Sequence, residues 1–70
     1  MALAFAPIGR EVTVTDVRAD EKVKRHLQNL GITVGGKVTP LSSTGGNMIF
    51  RVLECKVALD CSLAMRIMVA

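Results

Sequence analysis

The segment from Gly31 to Val38, GITVGGKV, has the spacing of a phosphate-binding loop. It reads G-x-x-x-x-G-K, but Val38 stands where a serine or threonine hydroxyl would ligate magnesium. Such a loop works because it joins a strand to a following helix, so that backbone amides and the helix N-terminus point together at the phosphates. The pattern here predicts the reverse order, a helix followed by a strand. We therefore expect the glycines to form a helix end and a turn, without nucleotide binding.

Soft metal ligands are the second candidate chemistry. Cys55, Cys61 and His26 could supply two thiolates and an imidazole, but structural zinc takes four ligands, usually in close pairs such as C-x-x-C. We expect Cys61 to act as a small buried hydrophobe and His26 to lie on a solvated helix face. The histidine also has no evident nucleophile as a partner. We therefore expect no enzymatic activity and no cofactor, while a metal held between two copies stays open.

Composition predicts one small domain, residues 1–70, with a thin core. Half of the residues are hydrophobic and 21% are charged, which excludes a disordered chain. The net charge of +3 indicates no particular partner, and the only aromatic residues, Phe5 and Phe50, are too few for the stacking surfaces of single-strand nucleic-acid binders.

Two cysteines are typical of a reducing cytosol, and no apolar run approaches the roughly 20 residues of a membrane span. We expect a cytoplasmic protein.

The N-terminal half predicts a strand and then a helix. Alternating valine and threonine predict a strand over Glu11–Val17, with Val12 and Val14 facing the core. Asp20 is a suitable N-cap for the helix, and Gly31 is a suitable left-handed C′ residue in a Schellman ending, with Ile32 touching Leu27. The apolar stripe of this helix consists of Val23, Leu27 and Leu30.

The C-terminal half predicts three or four short antiparallel strands. Pro40 cannot donate a ladder hydrogen bond, so its strand lies at an edge or bends there. Short strands joined by tight turns avoid open edges by curling up. We therefore predict a mostly β fold, a small SH3-like antiparallel barrel of about five strands with one short helix after the first strand. The predicted segments are an extended stretch Lys37–Ser43, a turn Thr44–Asn47, strands Met48–Glu54 and Lys56–Asp60 joined by a hairpin at 54–56, a helical turn Cys61–Met65 and a strand Arg66–Val69.

Three pieces of the chain, in order, resemble the FeoA family of small cytosolic proteins of bacterial ferrous iron uptake. Leu30–Gly35 resembles the family's L-G-h-x-P-G turn, in which h is any apolar residue. Gly45–Met48 resembles its G-x-P-h turn, and Val57–Leu59 followed by Ala64-x-x-Ile67-x-Val69 resembles its V-A-L-x-x-x-x-A-x-x-I-x-V ending. Both prolines are replaced, by Val34 and Asn47, and the hairpin Leu53–Lys56 lacks the family's common glycine. These departures affect the stiffness of the turns more than the fold.

The resemblance implies a non-enzymatic partner of FeoB, the membrane iron transporter with a cytosolic GTPase domain, and leaves a weak homo-oligomer open. The docking residues it implies lie in two turns: Leu30, Gly31, Ile32, Gly45, Gly46, Asn47 and Met48. A related domain occurs at the C-terminus of iron-dependent repressors. The alternative is therefore a metal-responsive module that binds iron or zinc itself, through Cys55, Cys61 and His26.

Overall fold

The computed structural model describes residues 1–70 and contains a single five-stranded antiparallel sheet. The strand order is β4-β3-β2-β1-β5. The elements, in chain order, are a 3₁₀ turn Leu3–Phe5, β1 Val12–Val17, α1 Glu21–Asn29, β2 Lys37–Thr44, β3 Asn47–Val52, β4 Cys55–Asp60, α2 Cys61–Ala64 and β5 Ile67–Val69. The sheet and the helix after β1 confirm the predicted fold class. None of the helices is long and apolar enough to cross a membrane.

Strand β1 curls the sheet because it pairs with different neighbours along its length. Val12 and Thr13 pair with β2, whereas the part from Val14 to Val17 pairs with β5, with a register shift between Val14 and Asp16. The extents of the chain are nearly equal, 27 × 23 × 22 Å, as a sheet wrapped around its own core requires. Val12 and Val14 both face that core, as their alternation predicts.

The core is wholly apolar and every strand contributes to it. Fifteen apolar residues are buried together, and no polar or charged side chain is buried with them. Phe50 is fully buried in β3, where it pairs with Pro40 of β2 and Val57 of β4. Burial of apolar surface is therefore the main source of stability in this fold.

Helix α1 begins and ends as its sequence predicts. The carboxylate of Asp20 accepts a 2.9 Å hydrogen bond from the backbone N–H of Val23, which caps the N-terminus. At the other end, Gly31 has a φ of +96°, its N–H donates to Gln28, and the N–H of Ile32 donates to Leu27. These two bonds define a Schellman ending and confirm that Gly31 stops the helix.

The rest of the GITVGGKV segment forms a turn that enters β2. The backbone N–H of Gly35 donates to the carbonyl of Val14, and that of Gly36 donates to Thr33. Two of the amides that would have to cradle a phosphate are therefore already bonded within the protein, and the order is helix, loop, strand.

In the C-terminal half one predicted turn is displaced, and the structure decides between the two alternatives for Pro40. The hairpin between β3 and β4 turns at Leu53 and Glu54, because Val52 pairs with Cys55, so the predicted turn at 54–56 is wrong by about one residue. Strand β2 lies inside the sheet rather than at an edge, and Pro40 is accommodated by a register shift between Pro40 and Ser42. The alternative of a bend at Pro40 is the one that the fold adopts.

The two phenylalanines provide a matched test of where the stability lies. Phe50→Ala removes a fully buried ring and is expected to lower the free energy of unfolding by about 3–5 kcal/mol. Phe5→Ala removes a side chain that is 68% exposed and is expected to change it by less than about 0.5 kcal/mol. Urea unfolding monitored by circular dichroism measures both, and equal effects would contradict the core described above.

Candidate functional site

Leu53 is the most unusual residue of the fold. It is 79% exposed at the tip of the β3–β4 hairpin, and it is the one non-glycine residue with a positive φ, +58°. A left-handed backbone costs a residue with a Cβ about 1–2 kcal/mol, and two-residue hairpin turns usually place glycine or asparagine at such positions. The chain therefore holds a large apolar side chain in solvent at a strained position. Local strain of this kind clusters at functional sites.

The end of α1 packs directly against this hairpin. A methyl group at Gly31 would lie 3.0 Å from Cγ1 of Val52 and 3.4 Å from Cδ1 of Leu53. The positive φ favours glycine at position 31, and a Cβ there would also crowd the side chain of Val52. The turn between α1 and β2 is therefore held beside the exposed leucine.

Charged side chains surround Leu53. An open cleft of about 240 Å³ is lined by Glu11, Lys37, Thr39, Arg51 and Leu53. Lys37 Nζ lies 3.8 Å from Glu11 Oε1, whereas Arg51 has no carboxylate within salt-bridge distance. Gly31, Lys37, Arg51 and Leu53 form what we call the hairpin-tip surface. It offers a partner an apolar anchor next to a free guanidinium.

A second cleft, of about 220 Å³, is lined in part by the turn between α1 and β2. Its lining residues are Asp16, Val17, Lys24, Gln28, Ile32, Thr33 and Val34. Val34, which stands where the family has proline, is 64% exposed here. Each of the two clefts thus has one exposed apolar side chain in its lining, Leu53 in the first and Val34 in the second.

The structure places the predicted docking residues at two separate ends of the molecule. Gly31 lies beside Val52 at the end of β3, whereas Asn47 begins β3, about 17 Å away by the rise of a strand. Ile32 and Met48 are each 1% exposed, so their side chains belong to the core. Of the others, Leu30 and Gly31 are partly exposed, and Gly45, Gly46 and Asn47 are exposed.

Sequence reasoning missed Leu53 because the predicted strand Met48–Glu54 runs through it. Its neighbours Arg51 and Lys37 also come from different strands, β3 and β2, and only the sheet register brings them to one cleft. The available signal was a leucine falling in what had to be a tight turn, where apolar branched residues are rare.

The three candidate metal ligands do not meet within one chain. Cys55 and Cys61 lie at the two ends of β4, about 20 Å apart by strand rise, and His26 is exposed on α1. No three histidine, cysteine, aspartate or glutamate side chains come together closely enough to hold a metal ion.

Asp60 has a structural task at the C-terminal end of β4. The backbone N–H and the hydroxyl of Ser62 each donate a 2.9 Å hydrogen bond to its carboxylate, and these bonds hold the pKa of Asp60 below its ordinary value. A lowered pKa means that this capping contribution is fully present at neutral pH and is lost only in acid, as pH falls through the lowered value. Asp60 therefore caps α2.

One curled antiparallel sheet with a helix between its first two strands defines the molecule as a small SH3-like barrel protein. The FeoA domain model matches residues 1–70, and the chain belongs to the FeoA family. This is a family of accessory domains of ferrous iron transport and is not known as a family of enzymes. Among curated protein sequences, none matches the chain.

Solved structures show the same fold. The chain is similar to the FeoA protein of Chlorobium tepidum, with 27% identity, a TM-score of 0.90, and coverage of 99% of this chain and 68% of that one. It is also similar to the FeoA of Stenotrophomonas maltophilia, described as an SH3 domain protein and solved with zinc, with 26% identity, a TM-score of 0.85, and coverage of 100% and 89%. A manganese-dependent transcriptional repressor shares the fold alone, at 22% identity and a TM-score of 0.89, over 35% of its chain.

The backbone strain at Leu53 can be measured directly. Leu53→Asn is expected to raise the free energy of unfolding by about 0.5–1 kcal/mol, because asparagine tolerates a left-handed backbone. Leu53→Ala is the control, since alanine removes the apolar side chain and keeps the conformational cost. Thermal or urea unfolding compares the two variants, and an asparagine variant no more stable than the alanine one would contradict the strain.

Proposed function

We propose that this chain is a non-enzymatic accessory protein of bacterial ferrous iron uptake, which acts in the cytoplasm by binding the transporter FeoB and modulating it. Membership of the FeoA family supports the pathway. Two relatives support a regulatory role: one is described as an iron uptake regulatory protein, and that of S. maltophilia as a candidate activating factor of ferrous iron transport. The observation that supports a contact at this end of the molecule is Leu53, which is exposed and strained beside Gly31.

The chemistry of the hairpin-tip surface suits a protein partner. Interface centres combine apolar anchors with arginine, whereas most charged residues are depleted there. Leu53 supplies the anchor, and Arg51 supplies a guanidinium that has no carboxylate partner of its own. The partner's surface should therefore present an apolar pocket next to an acidic side chain, because a guanidinium binds carboxylates with two parallel hydrogen bonds.

The size of the chain sets the extent of the contact. A stable interface covers roughly 800 Å² on each partner, which is about a fifth of the 4358 Å² surface of this chain. The hairpin tip alone is smaller than that. The docking surface in this proposal therefore extends from Leu53 across the α1–β2 turn to Val34, and the exposed Gly45–Asn47 turn at the other end of β3 lies outside it.

A metal-responsive module is the second candidate, favoured by the zinc complex of the S. maltophilia relative. It requires ligands from more than one chain, because the structure separates Cys55, Cys61 and His26. Metal titration of the reduced protein distinguishes the two functions. Stoichiometric binding that is lost in Cys55→Ser and Cys61→Ser would support this second function.

The proposed contact predicts opposite effects of one substitution on stability and on binding. Leu53→Asn is expected to weaken binding to the purified cytosolic domain of FeoB at least about tenfold, roughly 1.4 kcal/mol, while leaving the protein at least as stable. Isothermal titration calorimetry measures the affinity. Phe5→Ala is the matched control, since Phe5 is also exposed and lies in the 3₁₀ turn. The Phe5→Ala variant should bind the cytosolic domain with unchanged affinity.

The outcomes separate the function from the site. Wild-type protein that fails to bind the cytosolic domain would overturn the proposed partner. Wild-type protein that binds, with Leu53→Asn binding equally well, would overturn the hairpin-tip surface and leave the partner standing.

A further inference from the structure

The outer edge of β4 carries backbone N–H and C=O groups that no other strand of the sheet pairs with. β4 is the end strand of the sheet and pairs only with β3. The N–H of Cys61 donates to Gly46 over 2.8 Å, so the ladder with β3 continues through that residue. In an antiparallel strand, alternate residues direct their backbone groups to opposite sides. Lys56, Ala58 and Asp60 therefore point their N–H groups away from β3, and all three residues are exposed.

This edge lacks two of the devices that usually block edge pairing. Cys55–Asp60 contains no proline, and no register shift interrupts its ladder with β3. The positive charge of Lys56 in this strand is balanced by the negative charge of Asp60, four residues later. An edge of this kind is a ready template for another strand.

The sequence of β4 and the residue after it is complementary to itself. Cys55 to Cys61 reads C-K-V-A-L-D-C, with Ala58 at its centre. When two antiparallel copies pair about a two-fold axis at Ala58, Lys56 lies opposite Asp60 and Cys55 lies opposite Cys61 of the second copy. The outward N–H groups of each copy then face carbonyls of the other, as an antiparallel ladder requires.

Charge favours this register over the two that are centred on a charged residue. An axis at Lys56 would place two lysines directly opposite each other, and an axis at Asp60 would place two aspartates opposite each other. Opposite charges across a strand pair stabilise it, whereas like charges destabilise it. Centring on Ala58 pairs both charges of each copy with an opposite charge.

We propose that two copies of this chain form a dimer by pairing their β4 edges about a two-fold axis at Ala58. The dimer brings Cys55 of each copy next to Cys61 of the other, and a disulfide can lock it. This inference is independent of the proposed function, since it uses the strand edge and not the hairpin-tip surface.

The geometry at the cysteines suits such a lock. Cys55 is the first residue of β4 and Cys61 directly follows its last residue, as the first residue of α2, so pairing about Ala58 places each Cys55 opposite the start of α2 in the other copy. Across the new interface they form a non-hydrogen-bonded pair, with Cα atoms about 4.5 Å apart, within the range of a disulfide. Within one chain the same two residues are separated by the length of β4, about 20 Å, so an intrachain bridge cannot form.

Oxidation by diamide traps the pair. Two thiols, one from each copy, give two protons and two electrons to the N=N bond of diamide. The diamide becomes a hydrazine, and one S–S bond forms between the copies. We expect wild-type protein, kept in a metal chelator, to give a covalent dimer on a non-reducing gel. Peptide mass spectrometry should then find Cys55 linked to Cys61.

Single-cysteine variants test the register. Cys55→Ser alone and Cys61→Ser alone should remain monomeric under the same oxidation, because like cysteines lie about 20 Å apart across the axis. An equimolar mixture of the two variants should form the covalent heterodimer. Single variants that cross-link as fast as the mixture, or a dominant Cys55–Cys55 link, would show random collision and overturn the proposal.

The noncovalent dimer is tested in the reduced protein. Lys56→Asp places two aspartates opposite each other and is expected to weaken dimerisation, measured by analytical ultracentrifugation, at least about tenfold. Lys22→Asp on α1 is the control, because it makes the same change of net charge away from β4 and should leave the dimer unchanged. Equal effects of both variants, or a wild-type chain that stays monomeric and does not cross-link, would contradict the β4 pairing.

Discussion

The division of β1 between two neighbours is the constraint on which the rest of the structure depends. Because its first residues pair with β2 and its last with β5, the sheet must curl, and its inner face becomes one closed apolar core. A chain of 70 residues has room for no second core. No polar or charged side chain is buried in that core, so the polar side chains of this protein lie on its turns, clefts and edges.

The turns carry the features that folding alone does not explain. Gly31 is fully accounted for by packing, because it must accept a left-handed backbone and approach Val52 closely. Packing does not account for Leu53, because its exposed side chain buries little surface and its backbone is strained. The proposed function uses this contrast: glycine positions the helix end, and leucine presents an anchor beside it. The free edge of β4 is a separate feature, and it offers contact between copies of the chain.

The fold class and the local features of the fold could be predicted from the sequence, and the register across the sheet could not. The cap at Asp20 and the helix stop at Gly31 are set by residues within one or two turns, so their patterns were sufficient. The position of the β3–β4 turn and the fit of Pro40 depend on register across the sheet, which alternation does not specify. For the same reason the sequence grouped two turns that lie at opposite ends of β3, and it missed Leu53.

The central claim is that the end of the molecule that carries Leu53 contacts FeoB. Titration of isotope-labelled protein with the unlabelled cytosolic domain of that transporter, followed by amide chemical shifts, tests it at every residue at once. The account predicts the largest changes at Gly31, Arg51 and Leu53, with the amides of Gly45–Asn47 unaffected. Changes confined to Gly45–Asn47, with Leu53 unmoved, would contradict it.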